Sequence, residues 1–250
     1  FDAEVFEASS QLKWIARSGA GMENIDHAIA AQKKIQLFNS PEGNRDAVAE
    51  HCLTMILALF NHLKRADKEV RDAEWNRERN RGLELKGKTV GILGYGYMGQ
   101  AFAERLKGFG VTTIAYDKYK TNFESDLVLE VSLKQLQEQS DILSVHLPLT
   151  EETTFMINTG FIQQFQKNFY LINTARGKNV KTQDLVNALK SGKIKGACLD
   201  VLEYEKTSFE ALKKEDLPED FQYLSSSENI ILSPHVAGWT ADSYFKLSNV

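Results

Sequence analysis

Cysteine is nearly missing from the sequence: only Cys52 and Cys198 occur, far apart and in no Cys-x-x-Cys pair. That scarcity argues against a disulfide framework or a zinc knuckle and makes a reducing cytosol the expected setting. Charge of one sign is lacking too. Lys and Arg number 30 against 34 Asp and Glu, a formal charge of −4, which argues against a general nucleic-acid binder. No hydrophobic run is long. Cys52 to Phe60 spans nine residues including Thr54, against the roughly 20 needed to cross a membrane. Internal repeats and low-complexity tracts are also missing. No His, Asp or Glu spacing suggests a metal, and Ser18 and Ser233 lack the elbow or base of a serine nucleophile. The chain opens Phe1-Asp2-Ala3-Glu4, with neither an initiator Met nor a basic signal-peptide start. What is there is globular: 250 residues, 42% hydrophobic and 26% charged, enough for one large domain or two modest ones.

From the middle onward, short β-branched runs alternate with amphipathic stretches. Strands are expected at Thr89–Leu93, Val111–Tyr116, Ile142–Leu147, Tyr170–Asn173, Gly196–Val201 and Asn229–Leu232. Helices are expected at Met98–Phe109, Ser132–Gln139, Thr159–Phe165 and Thr182–Ser191. Strands such as Ile142-Leu143-Ser144-Val145 lack polar alternation, as when both faces of a sheet are covered. The class is therefore α/β, a doubly wound parallel sheet of Rossmann type. Upstream, Leu12–Ala16 and Ile35–Asn39 read as strands around a helix at Ile25–Lys33. A turn-rich loop, Ser40-Pro41-Glu42-Gly43-Asn44, then opens one long helix from Ala47 to about Val70. Residues 64–82 hold seven basic and five acidic side chains around Trp75, a solvated helix or arm, or else a subunit contact. Residues 206–228, with Lys213-Lys214-Glu215-Asp216 and Ser225-Ser226-Ser227, read as a surface excursion.

Gly94-Tyr95-Gly96-Tyr97-Met98-Gly99 follows one strand and opens a helix. The first Gly permits a tight turn, the second close approach to a pyrophosphate, and the third helix–strand packing. Exposed N–H groups and the helix dipole then attract the anion. The next strand ends at Asp117, eighteen residues beyond Gly99. An acid there accepts the ribose hydroxyls and repels a 2′-phosphate, which favours NAD over NADP. Lys118 and Lys120 beside it would soften that preference.

Ligands of such a sheet sit outside the carboxyl ends of its strands. There the sequence delivers Arg176, Asp200, Glu205 and His235. A guanidinium can grip a carboxylate through two hydrogen bonds, and an imidazole backed by an acid can take a hydroxyl proton. The fingerprint at Gly94–Gly99, Val145-His146-Leu147-Pro148, Asn173-Thr174-Ala175-Arg176-Gly177, Leu199-Asp200-Val201 and Ser233-Pro234-His235 together resemble the signatures of the D-isomer-specific 2-hydroxyacid dehydrogenases. The likeness runs from about residue 12 to the end.

That resemblance implies roles. Arg176 would hold the substrate carboxylate and polarise the oxo group, His235 would be the acid/base, and Glu205 its carboxylate partner. Asp200 would orient the nicotinamide, while Gly94, Gly96, Tyr97, Met98, Asp117, His146, Pro148, Thr174 and Ala175 would hold the rest of the cofactor. His146 would give a supporting contact, and His51 would be a structural histidine on its helix. The loop Arg17-Ser18-Gly19-Ala20-Gly21-Met22-Glu23-Asn24-Ile25-Asp26 would offer backbone N–H groups to the substrate carboxylate, its Gly-Ala-Gly permitting the approach. This loop and the one ending at Asn44 look most like the D-3-phosphoglycerate dehydrogenase branch, with Arg17 as candidate partner of a phosphate or else a surface ion pair. Glyoxylate, hydroxypyruvate and lactate-type acids remain alternatives, because the bulky Trp239 would close the pocket over a small side chain. A non-catalytic NADH-sensing, corepressor-like protein is the alternative from another class.

The resemblance also implies domains and assembly. A nucleotide domain is expected at 45–234, with 1–44 and 235–250 forming a smaller, flavodoxin-like substrate domain whose front piece is absent. A homodimer through the nucleotide domain and the 64–82 arm is expected, with neither nucleic acid nor membrane as partner.

Overall fold

The computed structural model describes residues 1–205 and 218–249. It opens with α1 (Ala3–Ala8), whose N-cap Asp2 accepts a hydrogen bond from Val5 N–H. β1 (Trp14–Arg17) and β2 (Gln36–Asn39) pair in parallel, with α2 (His27–Gln32) as the crossover that parallel pairing requires. Phe6, Ile15, Ile25, Ala30 and Ile35 close a small core of their own beneath this pair.

The loop after β2 forms one 3-10 turn, Pro41–Gly43, and leads into α3 (Arg45–Phe60). The single helix expected to reach Val70 is two. After Asn61 the chain turns at His62, whose φ of 50° is left-handed, and restarts as α4 (Leu63–Arg71). The reason is where the apolar face stops. α3 buries Val48, Ala49, Cys52, Met55, Ile56, Leu59 and Phe60, whereas the charged α4 buries only Glu69. A straight continuation would leave that core behind.

The rest builds one large sheet. β3 (Thr89–Leu93), α5 (Tyr97–Leu106), β4 (Thr112–Tyr116), β5 (Leu129–Glu130), α6 (Leu133–Gln139) and β6 (Ile142–Val145) follow in turn. Then come α7 (Thr159–Gln163), β7 (Phe169–Asn173), α8 (Thr182–Lys190), β8 (Ile194–Leu199), α9 (Glu219–Ser226), β9 (Ile230–Leu232) and α10 (Ala241–Leu247). Seven strands pair in the order β5-β4-β3-β6-β7-β8-β9, all in parallel. α3 and α5 share one apolar cluster, and α6, α7, α8 and α9 contribute to the other. All four residues of β6 are buried, as the missing alternation requires.

The surface excursion expected at 206–228 needs correction in part. Residues 206–217, with Lys213–Asp216, lie outside the described residues, while Ser225 and Ser226 end the helix α9, which buries Leu224. α10 returns to the small lobe. Ser40 Oγ donates to Leu247 O at 3.3 Å, and Asp46 accepts from Arg105 at 2.7 Å and Lys246 at 3.2 Å. One carboxylate thus ties α3, α5 and α10 together.

Candidate functional site

From β3 the chain runs outward to β4 and β5, then returns to β6 on the other side. The loops after β3 and β6 therefore diverge, and a crevice opens between them at the carboxyl ends. Gly94 lines it with a φ of 93°, and a side chain there would press on the His146 carbonyl at 2.7 Å. Gly99 packs against the Gly94 carbonyl, while Gly96, the N-cap of α5, faces open space. A backbone cradle with a helix start behind it and no side chain in front suits a pyrophosphate.

Asp117 closes the crevice at the end of β4. Its Oδ2 accepts from Tyr95 N–H at 2.8 Å, and Oδ1 accepts from the Tyr119 and Lys120 N–H groups at 2.9 and 3.0 Å. The carboxylate is thereby fixed in place. Lys118 pairs with Glu152, and Lys120 Nζ lies 5.4 Å from the Tyr95 ring centroid, so both neighbouring cations are engaged. A cavity of about 580 Å³ opens on the β5 side of Asp117, remote from the arginine and histidine described below.

Other residues expected around the cofactor split. The His146 ring bonds Ser144 Oγ at 2.8 Å beside Phe102, and burial pulls its pKa down to about 4. It is neutral near pH 7. Pro148 O accepts from Thr153 Oγ1 at 2.6 Å, Thr174 Oγ1 lies 3.2 Å from Cys52 Sγ, and Ala175 N–H donates to Asn173 Oδ1 at 3.1 Å. Met98 packs on the core beneath the cradle. Tyr97, the first residue of α5, is exposed, and the nearby Glu42 carboxylate raises its pKa.

The later strands bring the candidate arginine, acid and histidine to the same rim. His235 Nδ1 lies 2.8 Å from Glu205 Oε2, and Glu205 Oε1 accepts from Leu202 N–H. A carboxylate only accepts, so Nδ1 carries the hydrogen of this bond. His235 holds a left-handed φ of 56°, and its N–H donates to Asp200 O at 2.7 Å. A non-glycine residue kept there by its surroundings is a mark of functional sites. Asp200 is 1% exposed and accepts from Ser233 Oγ at 2.6 Å and from the Val236 and Ala237 N–H groups at 2.9 Å each. His51 Nε2 sits 2.9 Å from Ser233 Oγ, so this histidine braces the Asp200 turn from α3.

Arg176 begins the turn after β7. A side chain on Gly177 would overlap the Leu202 carbonyl, and that close approach draws the arginine's turn against the one carrying Glu205. Arg176 Nη1 donates to Ala175 O at 2.7 Å, Nε donates to Glu23 Oε1, and Nη2 abuts Gly21. The loop from the small lobe thus meets the arginine directly. Within it Gly19 N–H donates to Ser40 Oγ at 3.3 Å, Ala20 O accepts from Asn39 at 2.7 Å, and Arg17 donates to Gly21 O. Asn44 completes the rim beside Gly238, its Oδ1 buried and without a hydrogen-bond partner among the described residues. An orphaned buried acceptor suits a ligand's donor.

Sequence reasoning missed Glu23, which joins Arg17 and Arg176, and the bracing role of Ser233. Glu23 lies within the loop singled out for its glycines, yet nothing local pairs it with an arginine 153 positions away.

Fold and site define a class: a Rossmann-type nicotinamide-dependent dehydrogenase with an arginine and an acid-backed histidine at the cofactor crevice. The D-isomer specific 2-hydroxyacid dehydrogenase NAD binding domain profile matches residues 53–237. The chain belongs to that family of NAD-dependent D-2-hydroxyacid dehydrogenases. It is 37% identical over 242 residues to a hydroxypyruvate reductase of Thermotoga maritima, covering 96% of this chain and 76% of that one. It is 35% identical over 251 residues to a D-3-phosphoglycerate dehydrogenase of Archaeoglobus fulgidus, covering all of this chain and 46% of that one. Its fold matches a D-lactate dehydrogenase of Aquifex aeolicus complexed with NAD and lactic acid, with a TM-score of 0.87, 32% identity, and coverage of 100% and 77%.

Proposed function

We propose that the protein reduces a short 2-oxo acid with an uncharged tail, hydroxypyruvate or glyoxylate, to its D-2-hydroxy acid. The observation that carries this reading is the occupation of Arg17. The expectation of 3-phosphoglycerate leans on Arg17 as partner of the phosphate, but Arg17 donates to Gly21 O and lies 3.7 Å from Glu23 Oε2. Its guanidinium is held within the loop, facing a carboxylate that it shares with Arg176. Bound NADH supplies the hydride that arrives at C2. Arg176 holds the substrate carboxylate together with the Ala20 and Gly21 N–H groups, Gly19 shaping the loop through its bond to Ser40, and Asn44 borders the same pocket. His235 Nε2 gives a proton to the oxo oxygen, and Glu205 steadies the imidazolium that stands ready to give it. Asp200, fixed by three hydrogen bonds, orients the nicotinamide ring.

The His235→Ala variant tests the assignment. It is expected to lose at least about a hundredfold in kcat while still binding NADH. Normal turnover in that variant overturns the role of His235. Oxidation of 3-phosphoglycerate is the second reading, favoured by the Archaeoglobus relative, and the same assay run on 3-phosphohydroxypyruvate decides between them. NADH binding without turnover on any acid marks the sensing alternative instead. The working unit is a homodimer, with residues 45–234 as nucleotide domain and the 64–82 arm in the contact.

A further inference from the structure

The loops after β4 and β6 meet across the cofactor crevice at Glu152. Its Oε1 accepts from Lys118 Nζ, and its Oε2 accepts from the Tyr119 hydroxyl at 2.8 Å. Lys118 Nζ also stands 5.6 Å from the Tyr119 ring centroid, so the three side chains close a triangle. An exposed ion pair usually contributes little, because two long side chains must be frozen to make it. Lys118 and Glu152 are 54 and 47% exposed, but both stand on fixed backbone. Asp117 binds the Tyr119 and Lys120 N–H groups, which anchors the segment carrying Lys118. Glu152 rides a turn in which Thr153 Oγ1 donates to Pro148 O and Thr154 Oγ1 to Thr150 O, at 2.6 Å each, and the buried Asn179 donates to Thr153 O at 3.3 Å. The hydrogen bond with Glu152 raises the Lys118 pKa, and those from Lys118 and Tyr119 lower that of Glu152. Both are ionised at neutral pH.

On the other side of Asp117 lies the cavity of about 580 Å³, bounded by Thr121, Glu124, Glu130, Ser132 and Gln135 among others. Lys118 is the one cation among its lining residues. Its Nζ is drawn toward the loop after β6, which contributes none of that lining. Room for a phosphate therefore exists beside Asp117, while the cation that would meet it is turned across the crevice. We propose that Glu152 is a specificity-determining residue for the cofactor: it holds Lys118 away from the space beside Asp117, so that a 2′-phosphate there meets an acid and no counter-ion. Asp117 supplies the repulsion, and Glu152 withholds the charge that could offset it. This selection acts on the nucleotide and is independent of which 2-oxo acid is reduced.

NADH and NADPH differ only by the 2′-phosphate, so the ratio of their Kd values isolates it. Fluorescence titrations with each cofactor are run on the wild type, Glu152→Gln, Lys118→Ala and the double variant. Gln keeps an acceptor for the Tyr119 hydroxyl and removes the charge that holds Lys118. In Glu152→Gln the NADPH Kd is expected to fall about three- to tenfold, with the NADH Kd unchanged. Adding Glu152→Gln to Lys118→Ala is expected to bring no such gain, because the cation to be freed is gone. A gain as large in the Lys118→Ala background overturns the proposal, since Glu152 would then repel the phosphate by its own charge. An equal change for both cofactors in Glu152→Gln overturns it too, and makes Glu152 a wall of the adenosine site. An unmoved ratio sinks it, as does a wild type that binds both cofactors equally and so excludes neither.

Discussion

At the scale of single residues, the site depends on groups whose protonation is set by what surrounds them. His146 is the plainest case. Burial beside Phe102 lowers its pKa to about 4, whereas the unfolded chain titrates near 6.5. Between those values the unfolded state binds a proton that the folded state refuses, so stability falls as the pH drops through this window. The loss is expected to reach at most about 3 kcal/mol at pH 4. Burial pushes the Asp46 and Asp141 carboxyls up, but Lys246 and Arg105 hold Asp46, and the Thr89 N–H with Lys167 holds Asp141, below the carboxylate range, so their contributions fade only lower still. Urea midpoints measured from pH 7 to pH 4 should therefore fall in the wild type and fall less in His146→Gln, which can still bond Ser144. Parallel curves would place the acid sensitivity elsewhere. Arg176, Glu205 and His235 were legible because each follows a strand end that the sequence marks. Glu23 and Ser233 were not, since their partners lie 153 and 182 positions away and only the folded chain brings them near.

At the scale of elements, the parallel strands were readable from their unbroken apolar runs, and the helices from their periodicity. The break between α3 and α4 was not. It carries neither Pro nor Gly, and the turn relies on His62 accepting a left-handed φ of 50°. β5 is two residues long, and α9 is too polar to stand out. Beyond the break, charges that look merely solvated form a lattice. Glu228 accepts from Arg65 at 2.8 Å and from Arg79 at 2.7 Å, and Arg79 reaches the buried Glu69 at 3.0 Å. That lattice holds a fixed surface on which Trp75 is 76% exposed, with Val70 and Leu83 also open. An exposed aromatic on such a surface is the kind of residue that anchors an interface. Under the proposed homodimer, light scattering at micromolar concentration should give a dimer for the wild type and a monomer for Trp75→Ala. A monomeric wild type removes the arm from the assembly.

At the scale of the whole molecule, strand order does the positioning. Because the order in which strands are added reverses between β3 and β6, the cradle at Gly94 and the acid at Asp117 face one crevice, and β7, β8 and β9 deliver the candidate arginine, acid and histidine further along the same rim. The sequence carried the parts and their order, and resemblance to the family supplied how they face each other. A ligand filling that crevice bridges many strand ends at once, so it should stabilise the fold as a unit. NADH at a hundred times its Kd adds about 2.7 kcal/mol, which for a chain of this length raises Tm by about 5–10 °C. NADPH should do much less at the same concentration. Three backbone N–H groups hold the Asp117 carboxylate in place, so an Asp117 that meets the ribose would be unable to swing away from a 2′-phosphate. The cations that could compensate are committed, Lys118 to Glu152 and Lys120 to the face of Tyr95. Thermal melts with each cofactor read the difference directly. Equal shifts from NADH and NADPH would mean that one of these lysines leaves its partner when the nucleotide binds, and that the acid does not decide the cofactor.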